Sequence, residues 1–178
     1  MHNDIERVLF SEEALAGKAK ELGKIITEDY AGEELTVIGV LKGSNVFTAD
    51  LIRHIELPVI LDFIAVSSYG RSTVSTGTVR LIKDLDFSIE NKNILIVEDI
   101  VDTGLTLKYL MDNFQSRNPR SIRICSLLDK PERRKADIKI DYKGFDIPDE
   151  FVIGYGIDYA EKYRNLPYIG ILKRSVYE

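Results

Sequence analysis

Residues 94–107 read Ile94-Leu95-Ile96-Val97-Glu98-Asp99-Ile100-Val101-Asp102-Thr103-Gly104-Leu105-Thr106-Leu107. The unbroken apolar start, without polar alternation, predicts a strand over residues 93–97 that is buried on both faces. Two adjacent acids follow, then a turn through Gly104. Leu107, Leu110, Met111 and Phe114 then recur on one helical face. A buried strand that turns directly into a helix is half of a β-α-β unit, so this stretch predicts a parallel sheet.

The flanking sequence repeats the pattern. Leu35–Leu41 (LTVIGVL) is a second apolar strand, residues 42–45 break it, and residues 46–55 read as a helix turning Phe47 and Leu51 inward. Further strands are expected at residues 59–66, Val79–Lys83 and residues 122–128. Before them, Ser11 is placed to cap a helix whose Leu15, Ala19, Leu22 and Ile26 lie at helical spacing. Strands alternating with helices predict an α/β fold, a central mainly parallel sheet flanked by helices. Ligands of such sheets bind beyond the carboxyl ends of the strands. That rule selects the loops at residues 42–45, 98–106 and 129–131, and the segment after Gly154.

With 178 residues and no repeat or low-complexity linker, residues 1–178 are expected to form a single domain. The formal charge of −5, from 24 basic and 29 acidic residues, argues against the broad basic face of a nucleic-acid binder. No apolar run approaches the roughly 20 residues that cross a bilayer, so no membrane partner is expected. The opening MHNDIERVLF lacks the apolar core of a signal peptide. The single cysteine, Cys125, excludes an internal disulfide and a multi-cysteine metal site. Together these readings predict a cytoplasmic protein.

Residues 98–106 carry the chemistry. Gly104 lets the backbone approach a ligand closely. The N–H groups of residues 102–106 and the Thr103 and Thr106 hydroxyls would then face a phosphate on the helix N-terminus. Neighbours in an extended chain point oppositely, so Glu98 and Asp99 can serve different groups, a ribose diol or a metal among them. A plainer reading makes Asp102 or Thr103 a helix cap with the acids in solvent, but it leaves the rest of the constellation unexplained. Neither G-x-x-x-x-G-K-[ST] nor a G-x-G-x-x-G after a strand is present, which weighs against the common nucleotide folds. Residues 67–78 (SSYGRSTVSTGT), polar and long for an internal loop, read as a functional segment.

Residues 97–107 (VEDIVDTGLTL) closely resemble the phosphoribosyl-pyrophosphate signature of type I phosphoribosyltransferases. With Val40-Leu41-Lys42-Gly43-Ser44, Ser68-Tyr69 and residues 151–164, the resemblance extends over nearly the whole chain to the hypoxanthine-guanine phosphoribosyltransferase family. It implies the type I phosphoribosyltransferase fold, with a small base-binding hood formed by the N-terminal and C-terminal segments. It implies transfer of the 5-phosphoribosyl group from phosphoribosyl pyrophosphate to N9 of hypoxanthine or guanine, giving IMP or GMP and pyrophosphate in purine salvage. The rivals are a xanthine-preferring enzyme and a regulatory protein that senses phosphoribosyl pyrophosphate on the same fold. A homodimer or homotetramer is implied by the resemblance alone.

The same resemblance assigns roles. Asp102 is the general acid/base beside N7 of the purine, and Asp102, Thr103, Gly104, Leu105 and Thr106 hold the 5′-phosphate, with Glu98 and Asp99 at the ribose hydroxyls. Lys42 and Gly43 form the pyrophosphate loop, with a cis peptide between Leu41 and Lys42, and Arg164 grips the same group. Lys130 donates to the 6-oxo group, Phe151 stacks on the ring, and the Val152 backbone reads the edge bearing N1 and the 2-substituent. Asp158 lies at the purine side and holds Mg2+, the expected cofactor, with Glu98 and Asp99 as further metal candidates. Ser68 and Tyr69 belong to a flexible loop that closes over the site. A lysine donor demands an acceptor at position 6, so adenine is expected to be rejected. Lys130 is singled out by its place at a strand end, and most of the run KPERRKADIK reads as solvated surface.

Overall fold

The computed structural model describes residues 1–68 and 79–177. Ser68 ends a strand, while Tyr69 and the rest of the expected loop lie outside the described residues. The strands are β1 (Ile5–Phe10), β2 (Leu35–Leu41), β3 (Val59–Ser68), β4 (Val79–Lys83), β5 (Asn93–Val101), β6 (Ser121–Asp129), β7 (Tyr142–Asp146), β8 (Val152–Ile153) and β9 (Ile169–Leu172). The helices are α1 (Glu12–Asp29), α2 (Asn45–Ile52), α3 (Leu105–Gln115) and α4 (Arg174–Tyr177).

Six strands form one sheet in the order β4-β3-β2-β5-β6-β7. All neighbours run parallel except β4, which pairs antiparallel with β3. The chain leaves β2 toward β3 and later returns on the other side of β2 as β5. The β2/β5 boundary is therefore the topological switch point, where such sheets open a crevice for ligands.

Strand alternation sorts the core. Leu95 and Val97 face the layer of α1 and α2, packing with Leu15, Leu22, Ile26, Phe47 and Leu51. Ile94 and Ile96 face the opposite layer, with Leu107, Leu110 and Phe114 of α3. Both faces are covered, which accounts for strands without polar alternation. Ser11 caps α1 as expected, its hydroxyl accepting from the Ala14 amide at 3.3 Å.

Two boundaries differ most from expectation. β5 runs on through the acids to Val101, because β6 supplies partners that far, Leu128 opposite Ile100 and Asp129 opposite Val101. α2 ends at Ile52 rather than at residue 55. A second sheet, β1-β9-β8, is antiparallel and built from the two ends of the chain. Ile153 and Leu172 of this sheet form a buried cluster with Leu166. No helix among the described residues is long and apolar enough to cross a membrane.

Candidate active site

Gly104 ends the turn after β5 at φ 79° and is itself the residue preceding α3, with no side chain capping the helix. Asp102 and Thr103 are thus released from the capping role. The amides of Thr103 and Gly104 donate to no backbone acceptor within the described residues, and the Thr103 hydroxyl makes only a 3.4 Å contact with the Leu105 amide. Glu98, residues 100–104, Thr106 and Leu107 line a concavity of about 90 Å³ here. Free amides, a hydroxyl and the positive end of a helix dipole around so small a space suit a single phosphate group.

This turn is held from one side by the segment after β6. The Lys130 amide donates to the Val101 carbonyl at 2.9 Å, and those of Lys135 and Ala136 donate to the Thr103 carbonyl at 2.9 and 3.1 Å. The Arg134 stem lies against Gly104, and its guanidinium pairs with the buried Asp129.

Glu98 and Asp99 lie at the switch point. Burial, and then the neighbouring Asp99 charge, push the Glu98 carboxyl well above its usual range. Its Oε2 is buried with no hydrogen-bond partner among the described residues. Burial raises Asp99 to about 6, against the Ile100 amide, which donates to Oδ1 at 2.8 Å, and the Arg164 charge; the Asp158 carboxylate adds to the rise.

Gly43 packs on Asp99 so closely that a Cβ would collide with the carboxylate. Gly156, at φ 100°, packs in turn on the Gly43 carbonyl. The peptide between Leu41 and Lys42 is cis. The Lys42 ammonium reaches out to Glu161 at 2.8 Å. Arg164 donates to the Gly156 carbonyl at 2.9 Å and pairs with Asp158 at 2.9 Å.

Asp99, Gly43, Asp158 and Arg164 therefore meet at one end of the sheet. No three or more His, Cys, Asp or Glu side chains make a ready metal cage among the described residues. Mg2+ does not require one, since it commonly binds one or two carboxylates with water and substrate phosphates. The desolvated, raised Asp99 carboxyl beside Asp158 fits such a half-built site, because a bound cation would favour its charged form.

The base-side residues lie across the turn. Lys130 is buried at the end of β6, its ammonium donating to the Glu150 carbonyl at 2.7 Å and lying 3.5 Å from Asp149. Phe151 is exposed and stacks on Tyr177 at 5.0 Å, with Tyr159 edge-on at 5.5 Å. Val152 pairs with Ile171 in the smaller sheet.

Most of the run after Lys130 is exposed, as expected, but two of its arginines turn back to acids of the site. Besides the inward-turned Arg134, Arg133 donates through Nε to Asp102 Oδ1 at 2.6 Å and through Nη1 to Asp149 Oδ2 at 3.0 Å. Pro131 opens the 3-10 turn Pro131–Arg133 that swings these arginines back over the phosphate turn. A proline directly after a strand-end lysine was the one local sign of that reversal.

A family model described as the phosphoribosyl transferase domain matches residues 9–160. The hypoxanthine-guanine phosphoribosyltransferase of Bacillus subtilis is 59% identical over 178 residues, covering 100% of this chain and 99% of that protein. The enzyme of the same name from Staphylococcus epidermidis is 56% identical over 177 residues, covering 99% of each. Among solved structures, a hypoxanthine phosphoribosyltransferase from Staphylococcus aureus superimposes with a TM-score of 0.97 at 56% identity, covering 100% of this chain and 97% of that one. Sequence, topology and the phosphate turn agree: the chain belongs to the hypoxanthine-guanine phosphoribosyltransferase family.

Proposed function

We propose that this protein transfers the 5-phosphoribosyl group of phosphoribosyl pyrophosphate to N9 of hypoxanthine or guanine. The observation that carries the reading is the stitching of the phosphate turn, residues 101–103, to the segment that bears Lys130. Sugar-phosphate and base sites are thereby held at a fixed separation, as coupling two substrates requires.

In this reading the 5′-phosphate sits on the amides of residues 103–106, with Thr103 and Thr106 hydroxyls alongside. The ribose hydroxyls face Glu98 and Asp99, and the pyrophosphate lies against Lys42, Gly43 and Arg164. The purine 6-oxo group takes the Lys130 ammonium, whose present acceptor is the Glu150 carbonyl. Phe151 offers its ring to the base, and the Val152 backbone reads the far edge. The sheet β1-β9-β8 serves as the hood of a single domain.

As N9 attacks C1′, the bond from C1′ to the pyrophosphate oxygen breaks and its electron pair leaves with pyrophosphate. The proton on N7 passes to the Asp102 carboxylate. Asp99 and Asp158 would hold Mg2+, which when bound would supply positive charge against the departing pyrophosphate.

Purified protein incubated with phosphoribosyl pyrophosphate, Mg2+ and a mixture of hypoxanthine, guanine, xanthine and adenine tests the proposal by mass spectrometry of the products. IMP and GMP with stoichiometric pyrophosphate are expected, and AMP is not. Failure to make a nucleotide from either hypoxanthine or guanine would overturn the reading.

A further inference from the structure

Four charged side chains run in a line from the base site to the phosphate turn. The Lys130 ammonium lies 3.5 Å from Asp149 Oδ1, Arg133 Nη1 lies 3.0 Å from Asp149 Oδ2, and Arg133 Nε lies 2.6 Å from Asp102 Oδ1. Arg133 is held at two points of its planar fork, which fixes the orientation of the guanidinium as well as its position. A single contact would leave it free to rotate.

What this line does for the molecule is not mainly stability. Asp102 and Arg133 are each 43% exposed, and Asp149 is 48% exposed. Exposed pairs of that kind contribute little, because water screens the charges. The backbone bonds of Lys130, Lys135 and Ala136 already hold the two segments together without any side chain. The consequence of the Arg133 contact falls on the carboxylate. Oδ1 is occupied, whereas Oδ2 has no hydrogen-bond partner among the described residues.

We propose that Arg133, braced by Asp149, is a positioning residue that aims the free oxygen of Asp102 at the purine. This rests on the functional reading given above, in which Asp102 accepts the N7 proton. A carboxylate that turns freely about its side-chain torsions offers a lone pair in the required direction only part of the time. One whose second oxygen is pinned offers it throughout. Because Asp149 also flanks Lys130, the residue that reads the 6-oxo group and the residue that takes the proton are registered to each other through one acid. Base recognition and proton acceptance thus share a support that the phosphate and pyrophosphate contacts do not use.

The test compares wild type with Arg133→Ala, Arg133→Lys and Asp149→Asn, using hypoxanthine and phosphoribosyl pyrophosphate. Arg133→Ala should lower kcat about 10- to 100-fold, the loss associated with a misaligned reacting group. Its KM for phosphoribosyl pyrophosphate should stay within about twofold, since no phosphate contact is touched. Its melting temperature should move by no more than about 3 °C, as for loss of one exposed pair. Arg133→Lys, with charge but no fork, should recover part of the turnover, and Asp149→Asn should lower kcat in the same direction by less. An active wild type with an unimpaired Arg133→Ala overturns the positioning role. Loss of kcat, of phosphoribosyl-pyrophosphate affinity and of melting temperature together also overturns it, in favour of a structural support. A wild type that turns over no 6-oxopurine overturns the functional reading first, and this inference with it.

Discussion

Asp99 shows what the switch point costs a single residue. Burial raises its carboxyl from an ordinary 3.8 to about 6, so the folded state binds the proton more tightly. This group therefore favours folding fully below the unfolded value of 3.8, and the contribution is lost as pH rises through about 6. At about 1.4 kcal/mol per pKa unit, the charged form costs up to about 3 kcal/mol near neutrality. In protein free of metal and substrate, Asp99→Asn should raise the melting temperature near pH 8 and change it little near pH 4. Thermal melts at the two pH values check this, and an equal shift at both would place the effect elsewhere. Asp102 makes a different demand. Asp102→Asn removes the proton acceptor while keeping the shape, so kcat should fall by about 10²- to 10⁴-fold with the KM for phosphoribosyl pyrophosphate nearly unchanged. Steady-state kinetics with both substrates separate these, and equal losses in both would make Asp102 a structural residue. The residue types at 98, 99 and 102 were legible in sequence. The buried oxygen of Glu98, without a partner among the described residues, was not, because it depends on which elements close over it.

At the scale of the element, the turn from β5 into α3 depends on one backbone conformation. Gly104 lies at φ 79°, and a Cβ there would come within 3.1 Å of the Arg134 stem and of Ile138. Gly104→Ala should therefore cost about 1–2 kcal/mol from the left-handed conformation alone. It should also raise the KM for phosphoribosyl pyrophosphate, since any relief moves the amides of the cradle. Urea melts and substrate titration together check it; unchanged stability would mean the turn relaxes freely. Helices α1 to α3 and strands β2 to β6 were readable because their signals lie within each segment: Leu15, Ala19, Leu22 and Ile26 at helical spacing, and residues 94–97 without alternation. The pairing of β5 with β6 beyond Val97 was not readable. Polar residues at a strand end suggest a loop, and only the pairing with Leu128 and Asp129 of β6 keeps them extended.

For the molecule as a whole, Cys125 reports on the core. It is fully buried in the layer under α1 and α2, and burial pushes its thiol far up from the ordinary range. Native protein should resist iodoacetamide near pH 8, and labelling should proceed only through global unfolding. The labelling rate measured against urea checks this. Rapid reaction without denaturant would show that β6 opens locally. By itself the sequence determined the order and type of the main elements, the phosphate turn and the family. These follow from periodicity, turn chemistry and motifs carried by residues close together along the chain. Tertiary structure alone decided that Arg133 meets Asp102 and Asp149, that Phe151 stacks on Tyr177, and that β1 pairs with β9 across the length of the chain. Each of those contacts joins segments whose meeting depends on how the sheet is ordered and where the chain turns back. Apart from Pro131 at the reversal that carries Arg133, no local pattern of residues encodes that return.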